Sequence, residues 1–307
     1  MADVASRIDT EGLLDRIPVI AGLPRSVVEL SGGLTNVNLR VTTSAGDYVV
    51  RHFRGDAELL DIDRDAEHAN TVAAAEAGVG PPVVCYLPDL EVMVIDYIDG
   101  TTYDNATFGR PGVLPRVAQA CRTLHEGPRF RGDFDMFARQ ARYLRTVTER
   151  GYPLFDGYHA QDEAFHRVEA ALGAQPTPTA PCNNDLLAGN FVDDGDKLWL
   201  IDYEYSGNND PCFELGNTST ECDLTEYQVE ELVNAYFGRP LRNKLARVRL
   251  QALVSAYGWS LWGAIQAHAS SLDFDFTSWG QERFDKAARG FTADGFSALL
   301  DEVQRDD

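Results

Sequence analysis

The sequence predicts an α+β chain in two lobes: a small antiparallel sheet with one helix over residues 1–98, and a mostly helical lobe over residues 99–307. Three observations carry this expectation. Strand-type runs crowd the first third of the chain. Apolar residues recur at helical spacing from about Gly112 onward. A short hairpin with an Asp-Gly turn interrupts the helical part just before residue 202.

Taken in order, "VVEL" leads through "SGGLTN" to "VNLRVTT", the turn "SAGD" and "YVVRHF". The two β-rich runs on either side of Ser44–Asp47 read as a hairpin. "DIDRDAEHANTVAAAEAG" reads as a helix, acidic at its start and stopped by Gly78. "PPVVCYL" and "LEVMVIDYI" supply two further strands, and the segment near Asp99–Tyr103 links the lobes. Beyond it Val113, Val117, Cys121 and Leu124 share one helical face, and "DFDMFARQARYLRTVTERG" forms another helix. "QPTPTAP" is a connection, "FVDDGDKLWLID" a hairpin, and three or four helices are expected after it. A cleft between two lobes is the usual place for a ligand.

Composition narrows the function. Of 307 residues, 44% are hydrophobic and 24% charged, as in a globular protein with a sizeable core. The net charge of −21, from 48 acidic and 27 basic residues, argues against non-specific nucleic-acid binding. It suits either solubility or attraction of a cationic substrate. Five cysteines, an odd number with no C-x-x-C pair, argue against a disulfide framework or a zinc site. No apolar run approaches the ~20 residues of a membrane-spanning helix, so no membrane insertion is expected. "MADVASRIDTEGLLDRIP" does not read as a signal peptide. Reduced thiols in a cytoplasm are the simplest expectation.

The densest polar stretch is "PCNNDLLAGNF", Pro181–Phe191. The hairpin after it brings Asn190 close to Asp202, which follows "LWLI". Asn and Asp oxygens are hard ligands suited to magnesium beside a phosphate. Asp185 stands nearby to take a proton from a hydroxyl nucleophile, the division of labour found in phosphoryl transfer. Asn, Asp and Gly also dominate ordinary turns, but the ordered set D-x-x-x-x-N, hairpin, I-D is much rarer than either turn alone. Upstream, Ser31, Gly32, Gly33, Thr35 and Asn36 make a turn between strands where glycines would let backbone approach phosphate oxygens. Arg51 on the next strand is placed as a phosphate-contacting base and Glu67 on the following helix as its carboxylate partner. Asp96 and Ile98, at the strand-to-linker crossing, would offer backbone groups to adenine.

These residues resemble the choline/ethanolamine kinase family, within the wider kinase-like group that includes aminoglycoside phosphotransferases. The resemblance rests on "LSGGLTNVNLRV", "LHEGPRF", "NNDLLAGNF", "LIDYEYSGNNDPCFELGN" and "WSLWGAIQAHASSLDFDF" and spans Leu30 to about Phe284. It implies a protein-kinase-like fold, ATP, Mg2+ and phosphorylation of a small cationic alcohol, with Asp185 as base, Asn190 and Asp202 as metal ligands and Arg51 on the ATP phosphates. One position departs: the family usually reads His-Asn-Asp where this chain has Asn183.

For the substrate, Ser255, Trp259, Trp262 and Gln266 form a second stripe beside an apolar one on a long C-terminal helix. Aromatic stripes are usually packing. The resemblance instead implies an aromatic cage around a quaternary ammonium, which Phe274 and Trp279 would close, with Glu214, Asn217 and Glu221 in the same site. Either glutamate serves equally well as a cap or on a solvated face. His125 is expected to be a hydrogen-bonded structural residue. Cys182, with no basic neighbour in sequence, is expected to be inert. Two other readings stand beside the amino-alcohol kinase: an aminoglycoside or sugar phosphotransferase, and a kinase-shaped binding protein with weak catalysis.

Overall fold

The computed structural model describes residues 10–30, 33–54 and 56–306. Its contacts divide the chain into two compact units, one of Met1–Gly55 with Pro81–Asp99 and one of Asp56–Gly80 with Gly100–Asp307. The helix expected beside the sheet therefore groups with the C-terminal unit. Long-range hydrogen bonds tie it there: the Asn70 carboxamide on that helix donates to Ser206 Oγ (3.0 Å) and accepts the Arg131 N–H (2.7 Å).

In the first unit a short helix α1 (Thr10–Leu14) precedes β1 (Arg25–Leu30), β2 (Asn36–Thr43) and β3 (Gly46–Phe53). After the excursion into the second unit come β4 (Val83–Leu87) and β5 (Val92–Asp96), giving an antiparallel sheet in the order β1-β2-β3-β5-β4. The expected hairpin is present, with Thr43 opposite Gly46 and Asn36 opposite Phe53. Alternation puts Leu39, Val41, Val50, Val92 and Val94 on one face, where Leu14, Ile17 and Ile20 cover them. Arg51 lies opposite Met93 in the β3–β5 ladder.

The second unit begins with α2 (Arg64–Glu76), whose first turn is capped by the Asp63 carboxylate accepting the Ala66 N–H. It continues with the two-residue β6 (Thr101–Thr102), α3 (Val113–His125), α4 (Met136–Glu149) and α5 (Asp162–Ala174). The strands β7 (Ala180–Cys182), β8 (Phe191–Asp193), β9 (Leu198–Leu200) and β10 (Gly207–Asn209) form two small ladders, β10-β7 and β6-β8-β9. Then come α6 (Pro211–Glu221), α7 (Glu226–Phe237), α8 (Arg242–Ala269), α9 (Phe276–Phe291) and α10 (Phe296–Glu302). These are five helices where three or four were expected; α9 and α10 follow aromatic, polar stretches whose periodicity is easily missed.

Helix α8 is the axis of this unit, buried on all sides from Val254 to Gln266 and packed on α4, α6 and α9. Its approach to α6 is set by Gly216: a Cβ there would meet Ala252 N at 2.7 Å and Val248 O at 2.8 Å. Asp210 caps α6 through the Cys212 N–H and pairs with Arg247 of α8, fixing the helix at that end too. Gly216→Ala should therefore force the two helices apart. The expected cost is ~1–3 kcal/mol, a fall in Tm of several degrees in a thermal melt. An unchanged Tm would contradict this packing.

Candidate active site

The stretch 183–190 has almost no regular structure, so its buried polar groups must be paired side chain by side chain. Asn183 does this with both ends of its carboxamide. Its Nδ2 donates to the carbonyls of Ile201 (3.2 Å) and Asp202 (2.7 Å), and its Oδ1 accepts the Asp185 N–H (3.1 Å). The residue at the position where a histidine was expected thus ties the loop of Asp185 to the backbone of Asp202. Asn184, in the left-handed region at φ +68°, donates to the carbonyls of Cys182 (3.2 Å) and Tyr205 (3.1 Å).

The hairpin of β8 and β9 works as the sequence implied. Ile201 N–H donates to the Asn190 carbonyl at 3.0 Å, so Asn190 and Asp202 flank one backbone hydrogen bond. Asn190 Nδ2 donates to the Asp185 carbonyl (2.7 Å), which fixes the amide. Asp202 itself sits at φ +64°, a left-handed conformation that Asp tolerates better than most residues. Asp185 is half-buried. Burial, then the carboxylates of Glu221, Glu204 and Asp202, push its carboxyl well above the usual carboxylate range, and the Arg283 guanidinium opposes them. Glu204 and Glu67 are joined by Arg64, at 3.3 Å and 2.7 Å.

The expected substrate residues separate into three groups. Glu214 and Asn217 are fully buried and serve the loop: the Glu214 carboxylate accepts the N–H groups of Asn183 and Asn184, and Asn217 Oδ1 accepts that of Leu186 (2.8 Å). They differ from the expectation because α6 passes beneath the loop, so its first turns meet backbone. Glu221 does stand near Asp185, but it is gripped by Arg283 through Nε (3.1 Å) and a second, closer contact. The same guanidinium lies 3.3 Å over the Trp279 ring. Trp259 and Trp262 are both buried, and the fully buried Ser255 of the same stripe accepts a hydrogen bond from Asn217 Nδ2 at 3.0 Å. Trp262 donates its indole N–H to Tyr205 (2.8 Å) and packs on Phe276 and Trp279. Trp259 packs on Tyr205, Phe134 and Tyr143, a set of rings that already faces the Arg139 guanidinium. Phe274 is exposed and touches Phe276.

Sequence reasoning missed Tyr205, Glu204, Arg139 and Arg283. Tyr205 and Glu204 lie inside "LIDYEYSGNNDPCFELGN", within three residues of Asp202, so a signal was present. Arg139 carried none, because only the fold brings α4 to Tyr205, whereas Arg283 stands four residues after Trp279 on α9, a helical spacing that could have paired them. Cys182 does have a basic neighbour in space, His125 Nε2 at 3.5 Å. Burial, then the carboxylates of Glu214 and Asp210, hold its thiol well above its ordinary range, so it remains unactivated. His125 is hydrogen-bonded to Tyr236 and lies near Glu214.

In the first unit, Thr35 and Asn36 lead into β2, and Asp96 and Ile98 lie at and just past the end of β5. Ser31 and Gly32 lie outside the described residues. A Cβ at Gly33 would meet the Asn36 carbonyl at 2.5 Å, so this turn demands glycine for its own geometry.

Residues 26–250 match the phosphotransferase enzyme family. A solved choline/ethanolamine kinase family protein from Mesorhizobium loti is 35% identical, with a TM-score of 0.86 over 96% of this chain and 98% of its own. The choline/ethanolamine kinase of Homo sapiens is 26% identical over 84% of this chain and 78% of its length. The ethanolamine kinase of Drosophila melanogaster is 25% identical over 78% of this chain, which spans only 53% of that longer protein. The chain belongs to the phosphotransferase enzyme family and, within it, to the choline/ethanolamine kinases.

Proposed function

We propose that the chain is a magnesium-dependent kinase that transfers the γ-phosphoryl group of ATP to the hydroxyl of choline or a related amino alcohol, with Asp185 as general base. The observation that carries this reading is the joining of three polar residues by one hydrogen-bond frame. Asn183 bridges the Asp185 amide and the Asp202 carbonyl, and Asn190 bonds back to the Asp185 carbonyl. Membership of the kinase family and the match to its solved member support the same chemistry.

The donor set fits a divalent cation. Asp202, Glu204 and Glu221 gather negative charge around Asp185, and burial first, then these carboxylates, raise its carboxyl well above the usual carboxylate range. Asn190 and Asp202 are the residues that would hold the ion, which when bound neutralises charge on the phosphate oxygens. Asp185, once ionised, accepts the hydroxyl proton as the alcohol oxygen bonds to phosphorus and the bond to the departing ADP breaks. Its backbone is fixed at N–H and C=O, so its carboxylate needs little reorganisation to meet the nucleophile. Arg51, Glu67, Thr35, Asn36, Asp96 and Ile98 are assigned to the nucleotide side by their order along the chain and by the family resemblance. Carboxylates near Asp185 favour a substrate whose other end is cationic.

Two measurements test this. In a coupled assay of ATP turnover with choline, ethanolamine, aminoglycosides and sugars, the amino alcohols should be turned over and the others not. Asp185→Asn should remain folded and lose at least ~10²-fold in kcat, the scale of general-base removal. Aminoglycoside turnover, or near-normal rates in the variant, would contradict the assignment. Second, Trp259 is enclosed by Tyr205, Phe134 and Tyr143, so Trp259→Ala should cost ~3–5 kcal/mol of stability in urea unfolding. A selective rise in KM for choline with stability intact would show instead that this ring faces the substrate.

A further inference from the structure

Between the last turn of α6 and helices α7 to α10 of the second unit lies a cavity of about 650 Å³, within the size range of small-molecule sites. None of the residues assigned above to nucleotide, metal or alcohol lines it. Its apolar lining comes from Leu224 before α7, Val229 of α7, Leu253 of α8, and Phe296 and Leu299 of α10. Leu224, Leu253 and Leu299 are only half-buried, so apolar surface there remains open to a ligand. At Gly295, which leads into α10, an added Cβ would meet nothing within 4 Å, so that wall leaves room beside it.

Two cations share this lining, Arg249 of α8 and Lys286 of α9. Each is set against an exposed carboxylate. Arg249 Nη2 lies 2.6 Å from Glu226, which is 81% exposed, and Lys286 pairs with Asp223, which is 54% exposed. Such exposed pairs contribute little and exchange readily. Arg249 is also only half satisfied: its Nε–H is buried and has no acceptor among the described residues, a costly state for a charged donor. The Glu226 contact leaves Nε out. A carboxylate or phosphate lying across Nε and Nη2 would engage both donors, the bidentate geometry to which a guanidinium is suited. The groups displaced are not stranded. Glu226 turns into water, Asp223 keeps the Asn105 amide (2.7 Å), and Lys286 keeps the Thr220 carbonyl (3.0 Å).

We propose that this cavity is a second ligand site, for an amphiphilic anion: a carboxylate or phosphate monoester held by Arg249 and Lys286, with its hydrocarbon body against Leu224, Val229, Leu253, Phe296 and Leu299. Two cations beside apolar surface are a local exception in a chain of net charge −21. They select the sign of the ligand, and the apolar lining selects its body. The assignment does not depend on which residue is the catalytic base.

Calorimetric titration of octanoate, octyl phosphate, octanol and inorganic phosphate into the full chain, each below its aggregation concentration, tests this. At least one of the two amphiphilic anions should bind at one equivalent, ~10-fold or more tightly than octanol or inorganic phosphate, and the tighter of the two identifies the head group. Arg249→Gln and Lys286→Gln should each weaken that binding at least ~10-fold, while Arg289→Gln, on α9 but outside the lining, should leave it within about twofold. Saturating ADP with choline should leave the affinity within about twofold as well, because the two sites share no residue. Equal binding of octanol and the anions would overturn the proposal, as would affinity that is unchanged in both Arg249→Gln and Lys286→Gln. So would displacement by ADP with choline, which would place the anion in the active site. A wild-type dimer in sedimentation that Arg249→Gln dissociates would also overturn it, since a second copy would then cover the cavity. If Arg249→Gln does not fold, Lys286→Gln decides.

Discussion

A loop with little regular structure cannot be buried unless every amide and carbonyl it carries finds a partner, and the site depends on how residues 183–190, regular only in the 3-10 turn Ala188–Asn190, meet that requirement. The surplus of asparagine in this region answers it. Asn183 binds the Asp202 carbonyl and the Asp185 amide, Asn184 binds the carbonyls of Cys182 and Tyr205, and Asn209 reaches Asn184 Oδ1 at 2.9 Å. A carboxamide both donates and accepts, so it can join strands of backbone where a carboxylate or an amine could do only half the work. Most of the asparagines here are scaffold. Asn190 is held by its amide nitrogen on the Asp185 carbonyl.

The second feature that shapes the site is an excess of negative charge answered by a few arginines. Asp185 is crowded by Glu221, Glu204 and Asp202, with Arg283 opposing them, while Arg64 pairs with Glu204. Arg283 also covers Trp279 and grips Glu221, while Arg139 sits among Phe134, Tyr143 and Tyr205. Two aromatic groups therefore already hold internal cations. Such guanidiniums keep the rings and carboxylates in place when no ligand is bound, and a cationic substrate must find its room among groups that are partly satisfied.

Much of this could be read from the residues. The β2–β3 hairpin, the helix after it and the β8–β9 hairpin follow from alternation, helical spacing and an Asp-Gly turn, and the proximity of Asn190 to Asp202 follows from the hairpin alone. What could not be read was direction across long separations. Glu214, Asn217 and Glu221 share one face of α6, but the first two lie beside the loop backbone while the last, at the far end of the helix, meets Arg283. The grouping of α2 with the helical unit depends on Asn70 meeting residues 61 and 136 positions away. The burial of Trp259 depends on α4, which the sequence places more than a hundred residues earlier. Periodicity reports faces within an element and is silent on which neighbour each face will find.

Pairing a hard oxygen donor with a carboxylate beside a base is useful chiefly if a divalent cation bridges them to phosphate. Calorimetric titration of ATP into the wild-type protein and Asp202→Ala, each with and without magnesium, tests that directly. Magnesium should strengthen ATP binding to the wild type by at least ~10-fold, about 1.4 kcal/mol, and the gain should vanish in Asp202→Ala. Equal magnesium dependence in both proteins would contradict the placing of the metal at Asp202, and with it the reading of this hairpin as part of a phosphotransfer centre.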